Sequence, residues 1–192
     1  MKNSLRIALA ATALLSLAPL ASARIELCRV FGDDMVVQRD KPVRVWGWGD
    51  KGDKITVRFN GQEKSAVVGD DGKWAATLDA MPASATPREF TVRGAKDAVT
   101  FKNVVIGDVW LCSGQSNMEA DAGGILDSDL DLPRANHPAI RCLTLPLRSS
   151  PAPADNFSVE QRNPFYVELK GVWRVCDPNN TRDFPAVGYH FA

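Results

Sequence analysis

The sequence predicts two unlike parts: an antiparallel β-sandwich over residues 24–103, then the beginning of an α/β domain over residues 104–192. Three observations carry this. In the first part apolar and polar residues alternate with period two between frequent turn signals, the pattern of half-buried antiparallel strands. From Val104 the pattern changes to an apolar stretch, Val104-Val105-Ile106 and Val109-Trp110-Leu111-Cys112, interrupted only by Gly107-Asp108. Such a run is expected of a strand buried on both faces. Directly after it, residues 113–119 form the one strongly punctuated strand-to-helix junction of the chain.

Residues 1–23 precede both parts and read as a secretory signal peptide. Lys2 and Arg6 supply positive charge, residues 7–17 are almost unbroken apolar sequence, and Ala21-Ser22-Ala23 is a small-residue cleavage site. The run is too short for a membrane span of about 20 residues, so the mature chain is expected to start near Arg24, outside the membrane.

Within the first part, Met35-Val36-Val37 and Val43-Arg44-Val45-Trp46 read as strands separated by polar residues. Ile55, Val57 and Phe59 alternate with Thr56 and Arg58, and Asn60-Gly61 then supplies the positive φ that a two-residue hairpin turn requires. Gly69-Asp70-Asp71-Gly72 predicts a second hairpin leading into the alternating Trp74, Ala76 and Leu78. Phe90-Thr91-Val92 and Val99-Thr100-Phe101 add two further strands. Trp46, Trp48 and Trp74 suit either core packing or a sugar-stacking platform. After Ala120 the signals weaken. Residues 146–156 read as a loop, Val172-Trp173-Arg174-Val175-Cys176 as a strand, and residues 183–192 as a helix just beginning.

Charge excludes one class of partner. The chain holds 23 Lys plus Arg and 23 Asp plus Glu, and loss of the signal peptide removes only Lys2 and Arg6, so no nucleic acid partner is expected. Cys28, Cys112, Cys142 and Cys176 are widely and irregularly spaced, which argues against a zinc site. Export would permit disulfides, in any of three full pairings; Cys112 equally suits a buried free thiol.

Chemistry concentrates at Ser116. At the carboxyl end of a buried strand, backbone N–H groups of the following helix point toward developing negative charge. Gly114 would permit a sharp turn there, and the amides that follow could hold the oxyanion of an attacked ester. Ser116-Asn117-Met118-Glu119 also fits a helix-capping box, and Gln115 and Asn117 suit turns and caps. The local pattern leaves both open.

The block Gly107-Asp108-Val109-Trp110-Leu111-Cys112-Ser113-Gly114-Gln115-Ser116-Asn117-Met118-Glu119 resembles the nucleophile segment of the sialate O-acetylesterase family, within the SGNH/GDSL hydrolases. Met35-Val36-Val37-Gln38-Arg39 and Val45-Trp46-Gly47-Trp48-Gly49 resemble that family's N-terminal sandwich, and Phe184-Pro185-Ala186-Val187-Gly188-Tyr189 a later segment leading into a helix. The resemblance runs in order from about Val30 to the last residue. It implies a flavodoxin-like α/β/α second domain and Ser116 as nucleophile. Its own N–H would be one oxyanion donor, with Gly114, Gln115 and Asn117 as the surrounding oxyanion or supporting residues. Met118 stands where ordinary α/β-hydrolases close their nucleophile elbow with glycine, so that fold matches less well.

The implied reaction removes O-acetyl groups from sialic acid or related acetylated sugars through an acyl-enzyme, with no metal or organic cofactor. It needs a histidine base oriented by a carboxylate. The family's Asp-x-x-His pair has no counterpart here, since Arg134 stands three residues before His137 and Val187 three before His190. The chain therefore reads as the front part of such an enzyme, inactive by itself. The alternative is a non-catalytic secreted carbohydrate-binding or scaffold protein.

Overall fold

The computed structural model describes residues 25–145, 150–157 and 171–192; the signal-peptide reading falls outside them. Among the described residues ten strands and three short α-helices are formed. The strands are β1 (Glu26–Leu27), β2 (Val36–Gln38), β3 (Val43–Trp48), β4 (Lys54–Phe59), β5 (Gln62–Val67), β6 (Lys73–Leu78), β7 (Ser84–Arg93), β8 (Ala98–Gly107), β9 (His137–Leu143) and β10 (Trp173–Cys176). The helices are α1 (Ser128–Asp131), α2 (Pro178–Thr181) and α3 (Ala186–Phe191). Among the described residues no helix is long and apolar enough to cross a membrane.

The first eight strands make two sheets. One has the order β1-β3-β6; the other runs β2-β8-β7-β4-β5. All pairs are antiparallel except β2 with β8, which run parallel. Both sheets turn their apolar sets into one cluster, with Val45, Trp74 and Leu78 from the first and Ile55, Val57, Phe59, Phe90 and Val92 from the second. The period-two pattern explains the sidedness: in β6 Trp74, Ala76 and Leu78 are buried while Lys73, Ala75 and Thr77 are exposed.

Asn60 and Gly61 adopt φ of 47° and 76°, and Phe59 pairs with Gln62, as a two-residue turn with both central residues left-handed demands. The second expected hairpin does not form. A tight turn is present, with the Gly72 N–H donating to the Gly69 carbonyl at 3.1 Å, but β5 pairs with β4 and β6 with β3. The turn carries the chain from one sheet to the other. Alternation specifies which face of a strand is buried and leaves its neighbour undetermined.

The apolar stretch beginning at Val104 also divides differently from expectation. Residues 104–106 are buried and complete β8, a ten-residue strand, with Val104 and Ile106 in the shared core. Val109, Trp110 and Leu111 lie outside any strand, 43%, 67% and 86% exposed. Cys112 is exposed, whereas Cys28, Cys142 and Cys176 are buried; all four are free thiols.

Beyond Ala120 the expected strand near Val172 appears as β10, but it pairs antiparallel with β9, which the sequence did not signal. Pro138 and the absence of alternation in His137-Pro138-Ala139-Ile140 hide that strand. His137 is its exposed first residue. The described residues thus form an antiparallel pair here, and no flavodoxin-like parallel layer is assembled among them. Asp177 caps α2 by accepting from the Asn179 and Asn180 N–H groups, both at 2.8 Å.

Candidate active site

Ser116 opens a three-residue 3-10 turn, Ser116–Met118, and is exposed. It stands at the end of an irregular segment, not at a strand tip. The turn is closed by the Met118 N–H donating to the Gln115 carbonyl at 2.8 Å and the Glu119 N–H to the Ser116 carbonyl at 3.0 Å. The N-cap position falls on Gln115, and no side chain caps the turn. The capping box open to Ser116 and Glu119 is not made, and the Ser116 hydroxyl has no hydrogen bond among the described residues.

Gly114 is required for a different reason from the one expected. Its φ is outside the left-handed region, but an added Cβ would lie 2.8 Å from the Met118 Cγ. A larger residue there would force the Met118 side chain to move away from the turn. Asn117 is exposed within the turn. A cleft of about 1750 Å³ adjoins the segment; Ser113, Gly114, Gln115, Met118 and Glu119 line it together with Arg141, while Ser116 and Asn117 sit outside that lining.

Two distant stretches brace this irregular segment. On one side, β2 pairs with β8 from Val36↔Val105 to Gln38↔Gly107, and the Arg39 N–H donates to the Gly107 carbonyl at 2.9 Å. The Gln38 side chain then holds the next residues: its carbonyl accepts from the Val109 N–H at 2.9 Å, and Arg39 Nε donates to Asp108 Oδ1 at 3.0 Å. On the other side, the Ala186 N–H donates to the Ala120 carbonyl and the Ala122 N–H to the Phe184 carbonyl, both at 2.9 Å. These bonds lay α3 against the Ser116 turn. A Cβ on Gly188 would come within 3.1 Å of the Phe184 ring and 3.6 Å of Cys112 Cβ, and Trp110 meets Phe191 edge-on at 5.2 Å. A segment without secondary structure of its own is thereby fixed at both ends.

The Arg39 hydrogen bond holds the Asp108 carboxyl below its ordinary 3.8, against the opposing pull of desolvation. A carboxyl whose pKa is depressed by folding contributes stability above its unfolded value and loses it as pH falls through the folded value. An NMR titration of Asp108 is expected to give a midpoint below 3.8, returning toward it in Arg39→Gln. Protection factors of the amides at residues 108–110, referred to the intrinsic rate at each pH, should fall as pH falls through that midpoint; a midpoint unmoved by the substitution would remove Arg39 as the cause.

His190 lies exposed on α3, its ring 5.0 Å from that of Tyr189, and His137 lies on β9. Neither is hydrogen-bonded to Ser116 among the described residues. Burial pushes the Cys142 thiol up to about 12, which keeps it protonated and excludes it as a competing nucleophile at neutral pH. The described residues hold no group of three or more acidic, histidine or cysteine side chains placed to bind a metal ion.

No protein-family model matches the sequence. The chain is 32% identical over 125 residues to the sialate O-acetylesterase of Homo sapiens, covering 59% of this chain and 24% of that protein. It is 30% identical over 136 residues to that of Mus musculus, covering 65% and 25%. The chain thus spans about a quarter of the length of these curated relatives. Among solved structures, a carbohydrate acetylesterase from Xanthomonas citri superposes with a TM-score of 0.79 at 31% identity, over 88% of this chain and 36% of that one. The chain is thus similar in sequence to curated sialate O-acetylesterases and in fold to a carbohydrate acetylesterase.

Proposed function

We propose that this chain is the nucleophile-bearing part of an exported serine esterase that removes acetyl groups from sialic acid or a related acetylated sugar. The hydroxyl of Ser116 attacks the acetyl carbonyl, the sugar leaves, and water releases acetate from the acyl-enzyme. The observation that carries the reading is the state of Ser116. It is exposed, engaged in no cap or side-chain bond among the described residues, and held on a turn braced by β2 and α3 beside a large cleft. A serine serving only as a cap would spend its hydroxyl on the backbone.

The first N–H groups of a helical turn have no partner within it, so those of Ser116 and Asn117 precede the closing bonds at Met118 and Glu119. They are the groups assigned here to the oxyanion, with Gly114 and Gln115 shaping the approach. The division into a sandwich over residues 24–103 and the opening of an SGNH domain from Val104 belongs to the same reading. The base is to come from an Asp-x-x-His pair, because neither His137 nor His190 has an aspartate three residues before it.

A fluorophosphonate probe tests the assignment. In a polypeptide that also carries such an Asp-x-x-His pair, mass spectrometry is expected to find the adduct on Ser116, and Ser116→Ala should abolish it. Labelling that persists in that variant would move the nucleophile elsewhere. The 192-residue chain alone should release acetate from acetyl esters far more slowly, since an intact triad supplies most of the acceleration and only on the order of 10³–10⁴ survives without it.

A further inference from the structure

The three sheet tryptophans, equivalent in sequence, are separated by the fold. Trp74 points inward, is 3% exposed, and donates its indole N–H to the Trp48 carbonyl at 3.3 Å. It is a core residue. Trp46 and Trp48 point outward from the three-stranded sheet and are only half-buried, and their indole N–H groups have no partner among the described residues. Buried tryptophans ordinarily satisfy that donor, so a pair left open at a surface marks a wet, ligand-facing position.

Strand register gives the rest of that face. Trp48 lies between Glu26 of β1 and Lys73 of β6, Trp46 lies opposite Ala75, and Arg44 opposite Thr77. The two residues are two positions apart on one face of β3, their Cα atoms about 6.5 Å apart along the strand. Ala75, exposed opposite Trp46, puts no bulk beside that ring, and Phe31 meets the Trp46 ring edge-on at 4.9 Å. Over this face lies Asp155, which accepts from Lys73 Nζ at 2.7 Å and helps close a cleft of about 220 Å³ lined by Arg44, Trp46, Gly47, Trp48, Lys73 and Trp74; Trp46 and Asp155 also line the main cleft, so the two adjoin while Trp48, Arg44 and Lys73 belong to the outer face alone. That volume is below the roughly 300–1,000 Å³ of ordinary small-molecule sites, so the face offers a shallow stacking surface for one ring and not an enclosing pocket.

We propose that this outer face is a second, non-catalytic binding site for a saccharide, with Trp46 and Trp48 as its stacking platform. A pyranose ring presents an apolar face of C–H groups and a rim of hydroxyls that both donate and accept. The indoles match the first; Arg44 and Lys73 as donors, with Asp155 and Glu26 as acceptors, match the second. Such a site would hold an acetylated polysaccharide on the protein independently of Ser116.

The 192-residue chain is titrated with cellohexaose, xylohexaose and sialyllactose, following tryptophan fluorescence and calorimetric heat. Saturable binding of at least one is expected, weakened at least about tenfold in Trp48→Ala, where a stacking face is lost. Ala75→Glu should weaken it similarly by placing a charged side chain beside Trp46, and both variants should keep the parent melting temperature because both positions face outward. Ser116→Ala should bind as the parent does. Failure of all three sugars to bind, or unchanged binding in both Trp48→Ala and Ala75→Glu, overturns the proposal. Loss of binding in Ser116→Ala instead would place the sugar in the main cleft and also overturn it, without touching the esterase reading.

Discussion

Phe90→Ala is expected to lower the free energy of unfolding by about 3–5 kcal/mol, the range for deleting a fully buried aromatic ring from a core. Phe90 is 0% exposed on β7, which pairs with β8 on one side and β4 on the other. Its ring packs against Phe59 at 5.2 Å, and against Phe31 and Phe101 at 6.4 Å each. Phe90 lies in one buried cluster with Val45, Trp74 and Leu78 of the opposite sheet, so the ring helps join both layers. Collapse around the lost side chain would have to move paired strands on both sides, and the cavity should therefore persist. Equilibrium denaturation in urea reads the effect as a lowered midpoint at unchanged slope. A loss below about 1 kcal/mol would mean the two sheets do not share that core.

Gly47→Ala should detach β1. An added Cβ at Gly47 would lie 2.0 Å from the Glu26 carbonyl oxygen and 3.0 Å from the Leu27 Cα, and both obstacles are backbone, so no rotamer change relieves the clash. The cost is that of overpacking, about 1–3 kcal/mol, together with the β1–β3 pairing and the Cys28 N–H bond to the Trp46 carbonyl. Hydrogen exchange locates the damage. Protection should fall over residues 26–28 and 46–48, while β3–β6 pairing further along, at Val43↔Leu78 and Val45↔Ala76, stays protected. Because Gly47 separates Trp46 from Trp48, saccharide binding on the outer face should weaken in the same variant. An unaltered exchange profile at Glu26 and Leu27 would show that β1 is not seated against Gly47.

The contrast between β6 and the segment after β8 shows where sequence reasoning reaches and where it stops. Trp74, Ala76 and Leu78 declare their buried face by spacing alone, because a strand's side chains alternate whatever its partners are. Asn60-Gly61 declares a hairpin because few residues tolerate two successive left-handed conformations. Val109-Trp110-Leu111, by contrast, looks like strand by composition and lies exposed and irregular. Its conformation is imposed by Gln38 and Arg39, some seventy positions away, and by the docking of α3, and nothing within the three residues records those contacts. The β9 strand escaped notice for a related reason, since its pairing with β10 overrides a weak local pattern.

Spacing and turn chemistry alone therefore marked most strands of the first part, the inward faces of β4 and β6 and the Asn60-Gly61 turn, while motif likeness pointed to Ser116 as the proposed nucleophile. Those properties depend on the backbone and on immediate neighbours. Only the tertiary structure decided that β5 and β6 belong to different sheets, that the Ser116 turn is braced by Gln38, Arg39 and α3, and that Trp74 faces the core while Trp46 and Trp48 face outward. These are contacts between residues far apart in the chain. Their energies arise when distant surfaces are packed together, and local sequence does not encode which surface will arrive.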